Sequence, residues 1–124
     1  MNRRFHPLLR EEVWLHEEPQ GTRIWVVPRP GRRCHALLSV DFGAIDGDEF
    51  PGGPLPEGIA HFLEHRLFEK PAGDIGEHFT ELGADVDAQT GLTSTSFSFT
   101  ASAEALEPCL QLLFELAGCG YFPE

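Results

Sequence analysis

Gly58-Ile59-Ala60-His61-Phe62-Leu63-Glu64-His65-Arg66-Leu67-Phe68 is the stretch on which the reading of the fold turns. Set on a helical wheel at about 100° per residue, Ile59, Ala60, Leu63 and Leu67 share one sector and His61, Glu64 and His65 share another, nearly opposite. The segment is therefore expected to form a helix with an aliphatic stripe for the core and a separate polar face. Histidines at i and i+4 lie one turn apart and can aim two imidazole nitrogens at a single ion, at the distance of about 2.0 to 2.1 Å that zinc requires. Glu64 reaches the same region without taking a coordination position, as a general base for water must. With six histidines in the chain, His-x-x-Glu-His arises by chance in roughly 3% of sequences of this composition, so coincidence is the weaker reading.

Outward from the motif, Gly43 to Pro56 concentrates glycine, proline and acidic residues and is expected to be a loop leading into the helix. The helix, opened by Glu57 and Gly58, runs to about Phe68 and is stopped by Pro71 and Gly73. Asp74 is placed to cap a second helix from Ile75 to Leu82, with Gly83 just past its end. Asp85 to Thr90 and Thr93 to Ala101 read as a hairpin, with Phe97 and Phe99 on one face. Leu106, Cys109, Leu110, Leu113 and Ala117 recur at helical spacing, with Ser102 as a cap and Pro108 in the first turn. Toward the N-terminus, Val13 to Glu17, Thr22 to Val27 and Cys34 to Phe42 read as three meandering strands, the first two joined around Pro19-Gln20-Gly21. The order strands, helix, helix, strands, helix predicts an α+β fold, a largely antiparallel sheet with helices packed on one face.

At 124 residues the chain is one modest domain or a piece of one. Its net charge of −11 makes nucleic acid and anionic membrane surfaces poor partners. The basic side chains gather early, at Arg3, Arg4, Arg10, Arg23, Arg29, Arg32 and Arg33; the acidic remainder suits cationic peptides, although a solvated surface explains it more simply. No apolar run is long enough to span a bilayer, and Met1 to Pro7 lacks the core of a secretory signal, so a cytoplasmic protein is expected. Cys34, Cys109 and Cys119 are odd in number and lack Cys-x-x-Cys spacing, as buried thiols in a reducing compartment would be. His6, His16, His35 and His78 read as surface or packing residues, with His78, beside Glu77 and Glu81, the least ordinary.

The helix sequence, together with Phe42-Gly43-Ala44-Ile45-Asp46 before it, Glu69-Lys70 after it, and Leu82-Gly83-Ala84 leading to Asp87-Ala88-Gln89-Thr90, closely resembles the pitrilysin (inverzincin, M16) metallopeptidases. That family includes insulin-degrading enzyme and the mitochondrial processing peptidase; the long loop and Phe68-Glu69-Lys70 are most similar to its YmfH-like bacterial subgroup. The resemblance covers the chain from about residue 20 onward. It implies zinc (Zn2+) held by His61 and His65, with Glu64 as catalytic base, and a metalloendopeptidase hydrolysing peptide bonds. It also implies that Asp87 and Ala88 lie on the strand that pairs with an extended peptide substrate, a mode in which main-chain hydrogen bonds supply affinity. Asp87 stands where the family has Asn, and a carboxylate accepts but cannot donate.

The family's third zinc ligand is a glutamate roughly 75 residues after the motif, and a catalytic site needs three protein ligands. Only 59 residues follow His65. Residues 1–124 are accordingly expected to be a partial N-terminal catalytic domain, with Tyr121 to Glu124 as the turn before the helix that carries this ligand. The expected partners are a peptide substrate, the remainder of the peptidase or a paired family subunit, and a second copy of the chain. The alternative is a truncated, non-catalytic paralogue that binds peptides or a partner chain. A third reading, the LuxS type of quorum-signal synthase, shares His-x-x-Glu-His but fits the strand and loop context less well.

Overall fold

The structure, a computed structural model, describes residues 1–118. The chain divides into two compact units, residues 1–31 and the part from Arg32 onward.

The first unit is a three-stranded antiparallel sheet of β1 (Asn2–His6), β2 (Glu11–Glu17) and β3 (Arg23–Val26), in the order β1-β2-β3. The β2-β3 hairpin turns where expected: Glu18 N donates to Thr22 O over 2.8 Å, Gly21 N donates to Glu18 O over 2.9 Å, and Gly21 holds φ 96°. A side chain there would be strained, which is why glycine follows Pro19-Gln20. β1 departs from the expected meander. Asn-Arg-Arg-Phe-His has no apolar alternation to mark it as a strand; it is one because each residue meets a partner on β2, from Asn2 opposite Leu15 to His6 opposite Glu11. Arg3 on β1 pairs with Glu12 on β2, and Arg29, past the end of β3, pairs with Glu11.

From Arg32 onward the order is β4 (Arg33–Val40), α1 (Ile59–Phe68), β5 (Glu69–Lys70), β6 (Gly73–Asp74), α2 (Ile75–Glu81), β7 (Asp85–Thr90), β8 (Thr95–Ser102), a 3-10 turn (Ala103–Ala105) and α3 (Leu106–Gly118). The Cys34 to Phe42 run, expected to continue a meander, instead supplies β4 to a second sheet of order β4-β8-β7. All strand pairings among the described residues are antiparallel. β8 is central, and its alternate residues Thr95, Phe97, Phe99 and Ala101 are buried. Phe97 lies opposite Leu38 and Ala88, and Phe99 opposite Ala36 and Val86. Helical spacing completes the core from the same face: Ile75 and Phe79 on α2, and Cys109, Leu113 and Leu116 on α3. Each such buried aliphatic or aromatic side chain contributes about 1.5 to 3 kcal/mol. Phe79 and Phe99 meet with ring centroids 5.9 Å apart. The α+β expectation, helices on one face of an antiparallel sheet, describes this unit.

The helix ends follow from local chemistry. Asp74 accepts from Gly76 N over 2.7 Å, capping α2 as its sequence position predicts. At the other end Gly83 takes φ 68°, its N–H meets Thr80 O, and Ala84 N donates to Phe79 O over 2.9 Å. These are the two bonds of a Schellman motif. Ser102 Oγ accepts from Ala105 N at the turn before α3. The β5-β6 ribbon, absent from the sequence reading, folds back over Pro71-Ala72 and sets α1 and α2 on either side of a tight reversal. The expected turn at Tyr121 to Glu124, and Cys119, lie outside the described residues.

Candidate metal centre

α1 begins abruptly. Gly58 occupies the left-handed region at φ 79°, ψ 6°, and no side chain caps the helix. The helix therefore starts immediately after the loop, and its first turn carries His61. His61 and His65 are exposed, with Nε2 atoms 3.0 Å apart and ring centroids 4.7 Å apart. Two nitrogens bound tetrahedrally at about 2.0 to 2.1 Å would stand roughly 3.3 Å apart, so the observed pair fits a shared zinc ion with little movement. His61, Glu64 and His65 offer ligand atoms within 4.8 Å of one another, and they are the single such group among the described residues. Imidazole nitrogens with a carboxylate beside them are a donor set that suits zinc.

Glu64 shares the face of the histidines, as the wheel has it, with its ligand atoms within 4.8 Å of theirs. That part of the face is covered, however: Glu64 is 8% exposed and buried with Ala60, one turn earlier. Of the expected core stripe, Ala60 is buried, while Ile59, Leu63 and Leu67 are only half-buried. The reason is the docking of α1 against β7: the helix turns its Ala60 and Glu64 edge toward that strand. Thr90, the last residue of β7, donates its hydroxyl to Glu64 Oε2. No buried side-chain polar atom among the described residues lacks a partner, and a buried carboxylate is tolerable only on that condition. Thr90 carried no assigned role in the sequence reading. Its signal was there in the alternation Val86, Ala88, Thr90, which puts a hydroxyl on the covered face of the strand.

Beside these residues is a cavity of about 850 Å³. One wall is the Ala44 to Gly58 loop, another is His61 and Glu64, and the floor is Ala88, Gln89 and Thr90. Its charged lining is Asp48, Glu57 and Glu64, without Lys or Arg. The loop is tied at its start to the β7-β8 turn: Ala44 N donates to Gly91 O over 2.9 Å, Ile45 N to Leu92 O over 3.0 Å, and Thr95 Oγ1 to Phe42 O over 2.8 Å. Asp46 Oδ2 accepts from Gly43 N over 2.7 Å.

Ala88 is brought to this cavity; the Asp87 side chain is not, since strand alternation turns it to the exposed face. Both belong to an edge strand. Among the described residues β7 has β8 on one side and no strand on the other. The remaining histidines have partners of their own. His78 pairs with Glu81 at 3.4 Å, His35 contacts Thr100 at 3.1 Å, His16 contacts Glu18 at 2.8 Å, and His6 Nδ1 accepts from Leu9 N. Cys34 and Cys109 are free thiols, and burial, with Cys34 nearby as a lesser cause, pushes the Cys109 thiol up.

Comparison with known proteins agrees with this arrangement. The family model described as insulinase, peptidase family M16, matches residues 28–122. The uncharacterized zinc protease YmfH of Bacillus subtilis (strain 168) is 34% identical over 122 residues, covering 94% of this chain and 28% of YmfH. A crystal structure of an M16-like peptidase from Alicyclobacillus acidocaldarius superposes with a TM-score of 0.82 at 28% identity, over 91% of this chain and 27% of that one. A protease from Helicobacter pylori shares the fold, with a TM-score of 0.78 at 23% identity over 92% of this chain and 27% of its own. The chain thus spans little more than a quarter of the length of these relatives.

Proposed function

The chain belongs to the insulinase family of peptidases, M16, and on that premise we propose that it supplies two zinc ligands, His61 and His65, and the general base, Glu64, of a zinc-dependent endopeptidase. The observation that carries this reading is the pair of Nε2 atoms 3.0 Å apart beside the buried carboxylate. Zinc bound there would supply a Lewis acid that polarises a carbonyl and acidifies water. Glu64 takes the proton of the attacking water and returns it to the departing amine. The free edge of β7, at Asp87 and Ala88, pairs with an extended peptide through main-chain hydrogen bonds, which holds the backbone beside Glu64 whatever the side chains are.

In this reading residues 1–124 are part of an N-terminal catalytic domain, and the third ligand comes from outside residues 1–118. The rest of the peptidase, a paired subunit or a second copy of the chain completes the site. A reducing, cytoplasmic location belongs to the same proposal, supported by the free thiols Cys34 and Cys109. No helix among the described residues is long and apolar enough to cross a membrane.

The test is a fluorogenic peptide assay on the complete protein, run beside metal analysis. Glu64→Gln is expected to lower hydrolysis by about 10² to 10⁴-fold with zinc content unchanged. His61→Ala is expected to lose zinc and activity together. Zinc loss in Glu64→Gln would make that residue a ligand and overturn the assignment; full activity without zinc would overturn the whole reading.

A further inference from the structure

We infer that Thr90 is a positioning residue for the reaction: its hydroxyl holds Oε2 of Glu64 so that Oε1 alone faces water and carries the proton. The inference rests on Glu64 being the base. Three observations carry it. Glu64 is 8% exposed, so little of its carboxylate is open to solvent. The Thr90 hydroxyl is the donor that meets it, and it bonds one oxygen rather than both. Finally, the contact joins the middle of α1 to the last residue of β7, so the carboxylate is fixed against the strand that carries Ala88 and lines the same cavity.

A glutamate side chain has three rotatable torsions, and its terminal one is broad, so a helix alone does not fix which carboxylate oxygen faces the reacting atoms. An ionised carboxylate can only accept, which requires Thr90 to be the donor. With Oε2 engaged, rotation about the terminal torsion costs a hydrogen bond to a charged group, and Oε1 stays presented. Small misplacements of a reacting group lower rates steeply, so the effect of losing this bond falls on turnover and not on peptide affinity. Thr90 sits at a cramped place for any other solution. β7 ends there, Gly91 N closes the following turn on Ser94 O over 2.8 Å, and Thr90 lies opposite Thr95 in the ladder. The backbone at Thr90 is thereby set, leaving its side chain one covered face to point into.

The experiment is a double-mutant cycle on the complete protein with Thr90→Val, Thr90→Ser and Glu64→Gln, reading kcat, KM, zinc content and thermal midpoint for each. Valine keeps the shape of threonine and removes only the hydroxyl; serine keeps the hydroxyl. Thr90→Val is expected to lower kcat about 10 to 100-fold with KM within about threefold and zinc content unchanged. Thr90→Ser is expected to keep most of the rate. In the Glu64→Gln background Thr90→Val is expected to cost nothing further, because the group through which it acts is gone. Equal losses in both backgrounds, equal impairment of the serine and valine variants, or zinc loss in Thr90→Val would each overturn the inference. Wild-type turnover of Thr90→Val with an inactive Glu64→Gln would also overturn it while leaving Glu64 as base. A fully active Glu64→Gln would overturn both. If Thr90→Val does not fold, Thr90→Ala against Thr90→Ser carries the same comparison.

Discussion

Gly43→Ala should be among the most damaging single-methyl additions in this chain. Gly43 does not need glycine for its φ; it needs it for space. A Cβ at that position would lie 2.5 Å from both the carbonyl carbon and the oxygen of Leu92 and 2.6 Å from Ser94 N, all of them backbone atoms. Ordinary contact is near 3.5 Å or more, so loop and turn must separate by about 1 Å. That movement breaks or stretches the bonds from Ala44 N to Gly91 O and from Ile45 N to Leu92 O. Two backbone bonds at about 0.5 to 1.5 kcal/mol each, with overpacking of about 1 to 3 kcal/mol relieved in part by the movement, give a loss of about 2 to 4 kcal/mol. For a domain of this size that lowers the Tm by about 8 to 15 °C. Gly47→Ala is the control in the same loop: its Cβ would meet Ile59 Cγ2 at 3.4 Å and Leu55 Cβ at 3.5 Å, ordinary contacts, so the change should stay within about 0.5 kcal/mol. Thermal unfolding followed by circular dichroism distinguishes the two. A Gly43→Ala midpoint equal to that of Gly47→Ala would refute the close approach of loop and turn. Since the same loop walls the cavity beside His61, a raised KM for peptides is expected with the lower midpoint.

Phe79→Ala should cost about 3 to 5 kcal/mol in denaturant unfolding, because the ring is fully buried against Phe99; a loss under about 1 kcal/mol would mean that α2 is not docked on the sheet. Zinc titration of the 124-residue chain by calorimetry should give binding weaker than about 1 μM, abolished by His61→Ala, since two imidazoles on a helix leave the remaining positions to water; tight one-to-one binding would require a third ligand within the chain. Iodoacetamide at pH 8 should label Cys34 well before Cys109, read by peptide mapping. Cys109 is fully buried and its thiol is pushed up, so it holds less thiolate at that pH and offers less access; equal labelling would refute the burial of α3.

Much of this site was legible because its signals are local. The i, i+4 spacing of His61 and His65 puts two imidazoles on one side of any helix, whatever surrounds it, and the structure has them 3.0 Å apart. Asp74 and Gly83 act within a few residues of themselves, so the ends of α2 were readable for the same reason. Phe97 and Phe99 share a face because a strand has period two. Strand partnership is a different kind of information. The alternation of Cys34 to Phe42 announced a strand with a covered face, yet its partner is β8, some sixty residues later in the chain. Asn2–His6 has no strand signal of its own and is ordered by pairing with β2. Glu64 shows the limit most plainly. A helical wheel gives angles between side chains but not which sector will meet the sheet, and only the docking of α1 on β7 buries that carboxylate and brings the Thr90 hydroxyl to it from 26 residues away.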